Sequence, residues 1–228
     1  MLIFLDLETT GLEDIDKICS IAVIVVDKNE IVQTSYELVN EGKKISPKAS
    51  SVNHLTNEML KDKVNLKDSK TYKLLEKYNE QNSTIIAHNI KFDLKMLSLV
   101  GFSCKAKVID TLRVTKHLIP ECEYFSLQFL RYELRLYKTE YANSKAHEAL
   151  SDAYHVKQLY EYLLDMAVHN VLVDLSSKNV LLSKFNFGKY KDKHIEEVAM
   201  YDRNYLEWML NTMQDMDEDL RYSIEYYL

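Results

Sequence analysis

The segment from Ile18 to Val26 reads Ile-Cys-Ser-Ile-Ala-Val-Ile-Val-Val and carries almost no polar side chain. A short, continuous run of apolar and β-branched residues is typical of a strand that other elements cover on both faces. A similar segment precedes it at Leu2 to Leu7, and Ile31 to Val39 alternates like a third strand. Because only short connections separate the three segments, they predict an antiparallel meander. The chain therefore has to form a layered domain around a buried sheet.

Further along the chain, strand-like and helix-like patterns alternate. Short apolar strands are predicted at Thr84 to Ala87 and at Lys107 to Ile109, with helical periodicity before, between and after them. We therefore expect an α/β domain with a mixed five-stranded sheet flanked by helices. Beyond about residue 166 the composition changes to frequent aromatic residues and lysines. The predicted division is a first domain at 1–166 and a small, mostly helical second domain at 167–228.

Composition narrows the range of functions. The formal net charge of −6 argues mildly against a protein that holds nucleic acid with a broad basic surface. A nuclease stays open, because bound divalent cations supply positive charge that the amino-acid count does not show. The three cysteines form no CxxC pair, so neither a disulfide framework nor a zinc site is expected. The first apolar run stops at Asp6, too early for a signal peptide or a membrane span, and we expect a cytoplasmic protein.

Two carboxylates stand at the end of the first predicted strand. Asp6 and Glu8 are two residues apart, and the side-chain period of a strand places both on one side. Taken alone, such a pair is most often made of ordinary polar residues at a strand end. Two negative charges held so close destabilise each other unless a cation lies between them. The pair therefore favours a hard divalent metal, Mg²⁺ or Mn²⁺, over a general acid and base.

Two further segments carry candidate residues. Asp93 follows the strand that ends at Ala87 and enters a helix, near the strand end where ligand sites of α/β sheets gather. A helix-start aspartate that stabilises the helix dipole is the alternative. Five helical residues turn through roughly 500°, so His147 and Asp152 cannot share a helix face. His147 is therefore predicted at or before the helix start, where a histidine is suited to take a proton from water. Taken alone, the two residues would more often be a surface histidine and a solvated aspartate.

Taken together, the three segments are far more specific than any one of them. Asp6-Leu-Glu-Thr-Thr-Gly11, His88-Asn-Ile-Lys-Phe-Asp93 and His147-Glu-Ala-Leu-Ser-Asp152-Ala resemble the three motifs of the DEDDh (DnaQ-like) 3′→5′ exonucleases in order and spacing. The resemblance covers about residues 1–165 and implies a ribonuclease-H-like fold. It also implies that Asp6, Glu8, Asp93 and Asp152 hold two divalent ions, Mg²⁺ or Mn²⁺, and that His147 is the general base.

The resemblance further implies contacts with the 3′ end of a strand. Thr9 and Leu12, at the first motif, and Asn89 and Phe92, in the second, are expected to contact the terminal nucleotides. Hydrophobic side chains wedge or stack against an unpaired end without reading its sequence. Packing in the core is the alternative for both Leu12 and Phe92.

One segment departs from the family. The chain has Val52-Asn-His-Leu-Thr where the family usually shows Val-His-Gly-Ile-Thr, so the family histidine aligns with Asn53 and His54 lies beside it. Either side chain is a candidate for the substrate contact, and the prediction assigns the contact to His54.

The carboxyl-terminal segment Phe187-Gly-Lys-Tyr-Lys-Asp-Lys-His resembles the small domain that follows the nuclease in exodeoxyribonuclease-X-like proteins. Between Lys178 and His194, five lysines stand against one aspartate, with aromatic residues interleaved. This combination suits a strand-binding surface. A small aromatic core with a solvated rim of lysines is the alternative.

These features predict a metal-dependent 3′→5′ exonuclease that releases nucleoside monophosphates from single-stranded or frayed DNA ends, in repair or end trimming, with no membrane partner. An exoribonuclease and a polymerase proofreading subunit share the chemistry and stay open, because motifs do not settle which sugar is recognised. A non-catalytic nucleic-acid-binding module is the alternative from another class. Such a module would be expected to lose a carboxylate or the histidine, and all five residues are present.

Overall fold

The computed structural model describes residues 1–138 and 149–228. Its strands are β1 (Leu2–Thr9), β2 (Ile18–Asp27), β3 (Glu30–Leu38), β4 (Thr84–Ala87) and β5 (Lys107–Asp110). They form a five-stranded sheet in the order β3-β2-β1-β4-β5. The first three strands pair antiparallel, and β4 and β5 continue the sheet in parallel with β1. The predicted meander and the mixed α/β sheet are confirmed.

Helices connect and cover the strands. The α-helices of the described residues are α1 (Pro47–Asn53), α2 (Asn57–Leu60), α3 (Lys70–Tyr78), α4 (Ile90–Ser98), α5 (Thr111–Leu118), α6 (Leu127–Glu133), α7 (Ala149–Leu164), α8 (His169–Ser177), α9 (Ile195–Tyr201), α10 (Arg203–Thr212) and α11 (Glu218–Tyr227). Short 3₁₀ turns lie at Leu66–Asp68 and Leu136–Lys138. Sequence periodicity did not predict α1, which is capped by Ser46 and has a proline in its first turn.

The sheet separates two apolar layers, and the alternation along β1 assigns its side chains to them. Ile3, Leu5 and Leu7 belong to the layer that includes residues of α3 and α4. Phe4 belongs to the opposite layer, which includes residues of α5, α6 and α7. Because side chains alternate along a strand, the even-numbered positions of β1 all face the side of α7. This face is where the strand presents its two acidic residues.

The chain divides into two compact units, Met1–Ser176 and Ser177–Leu228. The predicted boundary after residue 166 lies ten residues before this division, because α8 packs with the first unit. Leu172 is fully buried in the layer formed by α5, α6 and α7. At the start of α8, His169 lies 2.9 Å from the hydroxyl of Tyr160 and 3.2 Å from that of Thr84. These contacts place α8 in the first unit.

The second unit is mostly helical, as predicted. Helices α9, α10 and α11 surround a small core of buried side chains: Phe185, Ile195, Val198, Leu206, Met209, Met216, Leu220 and Ile224. A loop precedes α9, and a bridge between Lys184 and His194 closes it. In the part of the chain that the structure describes, no helix is both long enough and apolar enough to cross a bilayer.

Candidate active site

Strand β1 places Asp6 and Glu8 side by side on one face of the sheet. They pair with Ala22 and Ser20 of β2, and both lie on the face that α7 covers. The register of the two strands shifts just after Glu8, so regular pairing ends where the acidic residues end. Both carboxylates are half-buried. The expectation from the period of two, that they share a side, is confirmed.

Helix α7 brings Asp152 to the same place. Ala149, Ala153 and Val156 are fully buried in the layer beneath the sheet, which fixes the helix against β1 and β2. Asp152 is buried in the first turn of α7. One carboxylate oxygen each from Asp6, Glu8 and Asp152 lie within 4.8 Å of one another. Three acids from two distant parts of the sequence thus converge on one point.

Asp93 reaches this cluster from α4. The backbone of Asn89 takes a left-handed conformation after β4 and starts the helix, so that buried Asp93 lies in the first turn. A hydrogen bond from the backbone of Leu7 favours its ionised form, and it shares electrostatic coupling with Asp6 and Glu8. Asp93 is therefore a neighbour of the carboxylate cluster, although it does not belong to the group within 4.8 Å.

Burial and the crowding of negative charges raise the pKa values of these acids above their ordinary values. Burial raises the pKa of Asp6 well above its ordinary value, and the charges of Asp93, Asp152 and Glu8 raise it further. Burial and Asp152 raise the pKa of Glu8 from 4.5 to about 8. Burial is also the main cause that raises the pKa of Asp93. Negative charges in this position require a compensating cation or protons.

The donor set fits a divalent metal. Carboxylate oxygens are the ligands that hard cations such as Mg²⁺ and Mn²⁺ prefer, and no cysteine or histidine belongs to the cluster in the described residues. The raised pKa values of Asp6 and Glu8 are the signature of a site that a cation would stabilise.

Two side chains orient Asp152, and the sequence motifs did not identify them. Gln128 of α6 donates a hydrogen bond of 2.7 Å from Nε2 to Oδ1 of Asp152. Nδ1 of the buried His155 lies 3.2 Å from the same oxygen. The spacing of Asp152 and His155, three residues apart on a helix, was a signal that could have found the second partner. Both contacts are made to Oδ1 of Asp152.

The second motif is anchored by Asp110, which also lay outside the predicted site. Its Oδ1 accepts hydrogen bonds from the backbone N–H groups of Asn89, Leu112 and Arg113. Asp110 thereby caps α5 and fixes the turn that starts α4. An aspartate at the end of a strand and before a helix is a sequence signal for such a cap.

His88 has a supporting position. Its Nε2 donates to the carbonyl oxygen of Phe125 at 2.8 Å, and its Nδ1 lies 3.0 Å from the hydroxyl of Thr111. Burial lowers the pKa of the imidazole, which favours its neutral form. Because both ring nitrogens have partners, His88 positions the loop rather than exchanging protons with a substrate.

The first motif ends in a tight network. The hydroxyl of Thr9 donates to the carbonyl oxygen of Gly11 at 2.6 Å, so this side chain stabilises the turn. Oδ1 of Asp16 accepts from the hydroxyl of Thr10 at 3.0 Å. Lys43 forms an ion pair of 2.6 Å with the same oxygen, and hydrogen bonding to Lys43 lowers the pKa of Asp16. A Cβ atom at Gly11 would collide with the Asp16 carboxylate, which explains the glycine.

The departure from the family pattern has a structural reason. Asn53 is buried, and its Nδ2 donates to the carbonyl oxygen of Thr9 at 3.2 Å, while its Oδ1 accepts from Leu55 N–H at 3.0 Å. His54 occupies the left-handed position at the end of α1, where the family has glycine, and is exposed. Asn53 supports the first motif through its hydrogen bond to Thr9.

The remaining predicted residues lie at the surface or its edge. Leu12 is 75% exposed, so core packing does not account for it. Asn89 is exposed, whereas Phe92 is half-buried and packs against the layer of α3 and α4. His147 lies outside the described residues.

Comparisons with known proteins agree with this geometry. Residues 3–160 match the family model described as exonuclease, and residues 185–213 match the model described as exodeoxyribonuclease X-like C-terminal. Exodeoxyribonuclease 10 of Escherichia coli strain K12 is 28% identical in an alignment that covers 100% of this chain and 99% of that protein. PolC-type DNA polymerase III of Thermotoga maritima is 28% identical, over 84% of this chain and 14% of the polymerase.

Solved structures give the same result. A structure of exonuclease X in complex with 5′-overhanging duplex DNA has a TM-score of 0.65 and 25% identity, and the match covers 78% of this chain and 100% of that chain. E. coli exonuclease I in an oligonucleotide complex has a TM-score of 0.57 and 17% identity, over 76% of this chain and 42% of that one, which supports the fold alone. The resemblance found in the three motifs is confirmed.

Proposed function

The chain belongs to the exonuclease family, and we propose that it removes nucleotides one at a time from the 3′ ends of DNA. The observation that carries the proposal is the convergence of Asp6, Glu8 and Asp152 within 4.8 Å, with Asp93 beside them. The four positions belong to the motifs by which the sequence resembles the family. Phosphodiester hydrolysis is the chemistry that such a group of acids serves in nucleases.

Asp6, Glu8, Asp93 and Asp152 would hold two divalent ions, Mg²⁺ or Mn²⁺. When bound, the ions supply positive charge against the charge that develops on the phosphate during hydrolysis. Gln128 and His155 hold Asp152 in place, so the ligand set is preorganised on the first unit. His147 is proposed as the general base, from its position in the third motif.

The substrate end is proposed to lie against the turn after β1. Leu12, exposed immediately after the first motif, would wedge against the terminal base. Half-buried Phe92 would contact the sugar. Thr9 and Asn53 shape this turn through hydrogen bonds to backbone carbonyl groups. An unpaired end offers its base faces to such contacts, which supports a preference for single-stranded or frayed ends.

The relatives support DNA as the substrate and a free-standing enzyme. The match to exodeoxyribonuclease 10 spans 99% of that protein, whereas the match to PolC-type DNA polymerase III spans 14% of the polymerase. Proofreading in a polymerase is the second candidate, because the chain is also 26% identical to the epsilon subunit of DNA polymerase III from Treponema pallidum. A stimulation of activity by polymerase subunits would favour the second candidate.

A panel of oligonucleotides tests the proposal. DNA and RNA strands of equal sequence carry a 5′ label and either a free or a blocked 3′ end, and are incubated with Mg²⁺. We expect a ladder of shortened DNA from free ends and none from blocked ends. Immediate release of the labelled 5′ nucleotide would contradict the direction. Rapid loss of RNA with intact DNA would replace the proposal with an exoribonuclease.

Variants separate catalysis from mere binding. Asp6→Asn should lower turnover by several orders of magnitude, because it removes a shared ligand. Asp14→Asn is the matched control, because Asp14 is an exposed neighbour that pairs with Lys95 outside the cluster. His147→Ala should slow turnover by roughly 10² to 10⁴-fold with metal binding retained. Equal digestion by Asp6→Asn and the parent would point to a non-catalytic module with a contaminating nuclease.

A further inference from the structure

The second unit carries a row of aromatic side chains at its surface. Ring centroids are 5.6 Å apart for Tyr201 and Tyr190, 5.0 Å for Tyr190 and Tyr205, and 5.7 Å for Tyr205 and Trp208. The two ends of this aromatic row are open to solvent, with Tyr201 59% exposed and Trp208 53% exposed. The row therefore presents several ring faces and edges along one stretch of surface.

Folding of the second unit does not account for the ends of the aromatic row. Tyr190 and Tyr205 pack against the small core of this unit and have a structural use. Tyr201 and Trp208 are outside that core, although each contacts a ring of the row. Each of these two large rings is more than half exposed and presents apolar area that a folded protein normally covers. Such exposed rings are typical of a binding surface.

Positive charge accompanies the row. Nζ of Lys189 lies 4.6 Å from the ring centroid of Tyr190 and 5.5 Å from that of Tyr205. Asp202 forms an ion pair of 3.0 Å with this ammonium group, which favours its position over the rings and partly offsets its charge. Gly188, next to Lys189, has a backbone φ of +76°, a left-handed conformation that favours glycine.

The loop that contains Lys189 is rich in lysine and is closed by backbone hydrogen bonds. Backbone hydrogen bonds of 3.0 Å from Phe185 to Lys193 and of 2.8 Å from Asp192 to Phe185 close it. Lys191 and Lys193 are exposed, and no ion pair holds either of them among the described residues. Both ammonium groups are therefore available to a negatively charged ligand. We call the residues 184–194 the lysine loop.

We propose that the aromatic row and the lysine loop bind single-stranded nucleic acid. Bases stack on exposed tyrosine and tryptophan rings whatever their sequence, and lysines attract the phosphates between them. Paired bases hide their faces within the duplex, so a single strand fits the row better than double-stranded DNA. The whole chain has a formal net charge of −6, whereas residues 184–194 carry four lysines against one aspartate, which concentrates anion binding at this loop.

The binding goes beyond the proposed hydrolysis, because none of its residues belongs to the carboxylate cluster. Its use rests on the proposed function. A strand held on the second unit stays at a high effective concentration for the exonuclease unit of the same chain. Loss of the row should therefore raise KM for long strands and leave kcat on a short oligonucleotide unchanged.

The test uses Trp208, the only tryptophan in the chain. The full chain in EDTA is titrated with a circular single-stranded DNA of about 40 nucleotides, which has no 3′ end to enter an exonuclease site. We expect saturable quenching of the tryptophan emission, since a stacked base contacts the ring. Unchanged emission at saturating DNA would overturn the proposal.

Variants locate the binding through the anisotropy of a labelled circle. Tyr201→Ala and Trp208→Ala should each weaken binding by about 5- to 150-fold, the range for losing one stacked base. Tyr201→Phe should retain binding, because it keeps the ring. Tyr226→Ala is the matched control, since this tyrosine is 63% exposed on α11 and contacts Tyr227 instead of the row. Far-ultraviolet circular dichroism confirms that each variant is folded.

Charge is tested in the same assay. Replacing Lys191 and Lys193 by Gln should reduce the salt dependence of binding by about one phosphate contact for each lysine that the strand uses. Binding by Tyr201→Ala and Trp208→Ala as tight as that of the parent would mean that the row serves another class of partner, such as a protein. Asp6→Asn should bind the circle like the parent, so failure of the nuclease assignment would leave this result interpretable.

Discussion

Removing divalent metal should make the stability of the protein fall as the pH rises. The group that determines this is Glu8, whose pKa is raised in the folded state from 4.5 to about 8. Between these values the folded chain keeps a proton that the unfolded chain has lost. Because the folded state then binds more protons, the free energy of unfolding decreases with pH, by at most about 1.4 kcal/mol per pH unit for one group.

The size of the effect follows from the pKa of Glu8. A pKa raised from 4.5 to about 8 corresponds to at most about 5 kcal/mol across the whole interval. Screening by water at this half-buried side chain reduces the expected loss to about 2 to 5 kcal/mol. For a chain of this size, that loss is of the order of 4 to 20 °C in Tm. Asp6 adds to it, because its pKa is raised as well.

Thermal unfolding of the parent and of Glu8→Gln, in EDTA and at pH values between 5 and 8.5, isolates the contribution of this carboxylate. The burial that lowers the pKa of His88 and His169 acts oppositely below about pH 6.5 and cancels in the difference between the two proteins. We expect a smaller decline in Glu8→Gln, and a flattened parent curve when Mg²⁺ is added. Identical pH profiles for the two proteins would refute the reasoning.

Two further predictions concern the residues that support the cluster. Gln128→Leu removes the 2.7 Å hydrogen bond to Asp152 and should lower activity or metal affinity about 10- to 100-fold. A titration of the reaction rate with Mg²⁺ would show the weaker metal binding as a higher half-saturating concentration. An unchanged half-saturating concentration and rate would contradict this positioning role. Gly11→Ala places a methyl group against the Asp16 carboxylate and should destabilise the chain by about 1 to 3 kcal/mol, measured by urea unfolding. Unaltered stability would show that Asp16 moves freely.

Local geometry made part of the site predictable. Asp6 and Glu8 were correctly assigned to one face, because the period of two in a strand depends on the backbone alone. Their meeting with Asp152 depends on the packing of α7 against the sheet, which no local rule gives. The motif resemblance supplied that step. The hydrogen bond from Gln128 to Asp152 could not be predicted from local sequence, because it joins two different helices.

The differences between the sequence predictions and the structure also have physical causes. The chain divides after Ser176 instead of after residue 166, because Leu172 of α8 is buried in the layer of the first unit. Helix α1 was missed because its residues have no apolar period, although Ser46 and Pro47 are start signals. At the departure from the family motif, the choice between Asn53 and His54 depended on backbone conformation. The left-handed φ of 58° at His54 agrees with its alignment to the family glycine.

The central claim is that acids from three distant motifs form one divalent metal site. Electron paramagnetic resonance of Mn²⁺ titrated into the protein measures the free ion, so the number of bound ions follows by difference. We predict saturable binding to the parent and to Asp14→Asn, and a loss of at least one ion, or about tenfold or more in affinity, in Asp152→Asn. Equal binding by Asp152→Asn and the parent, at the same stoichiometry and affinity, would contradict the account.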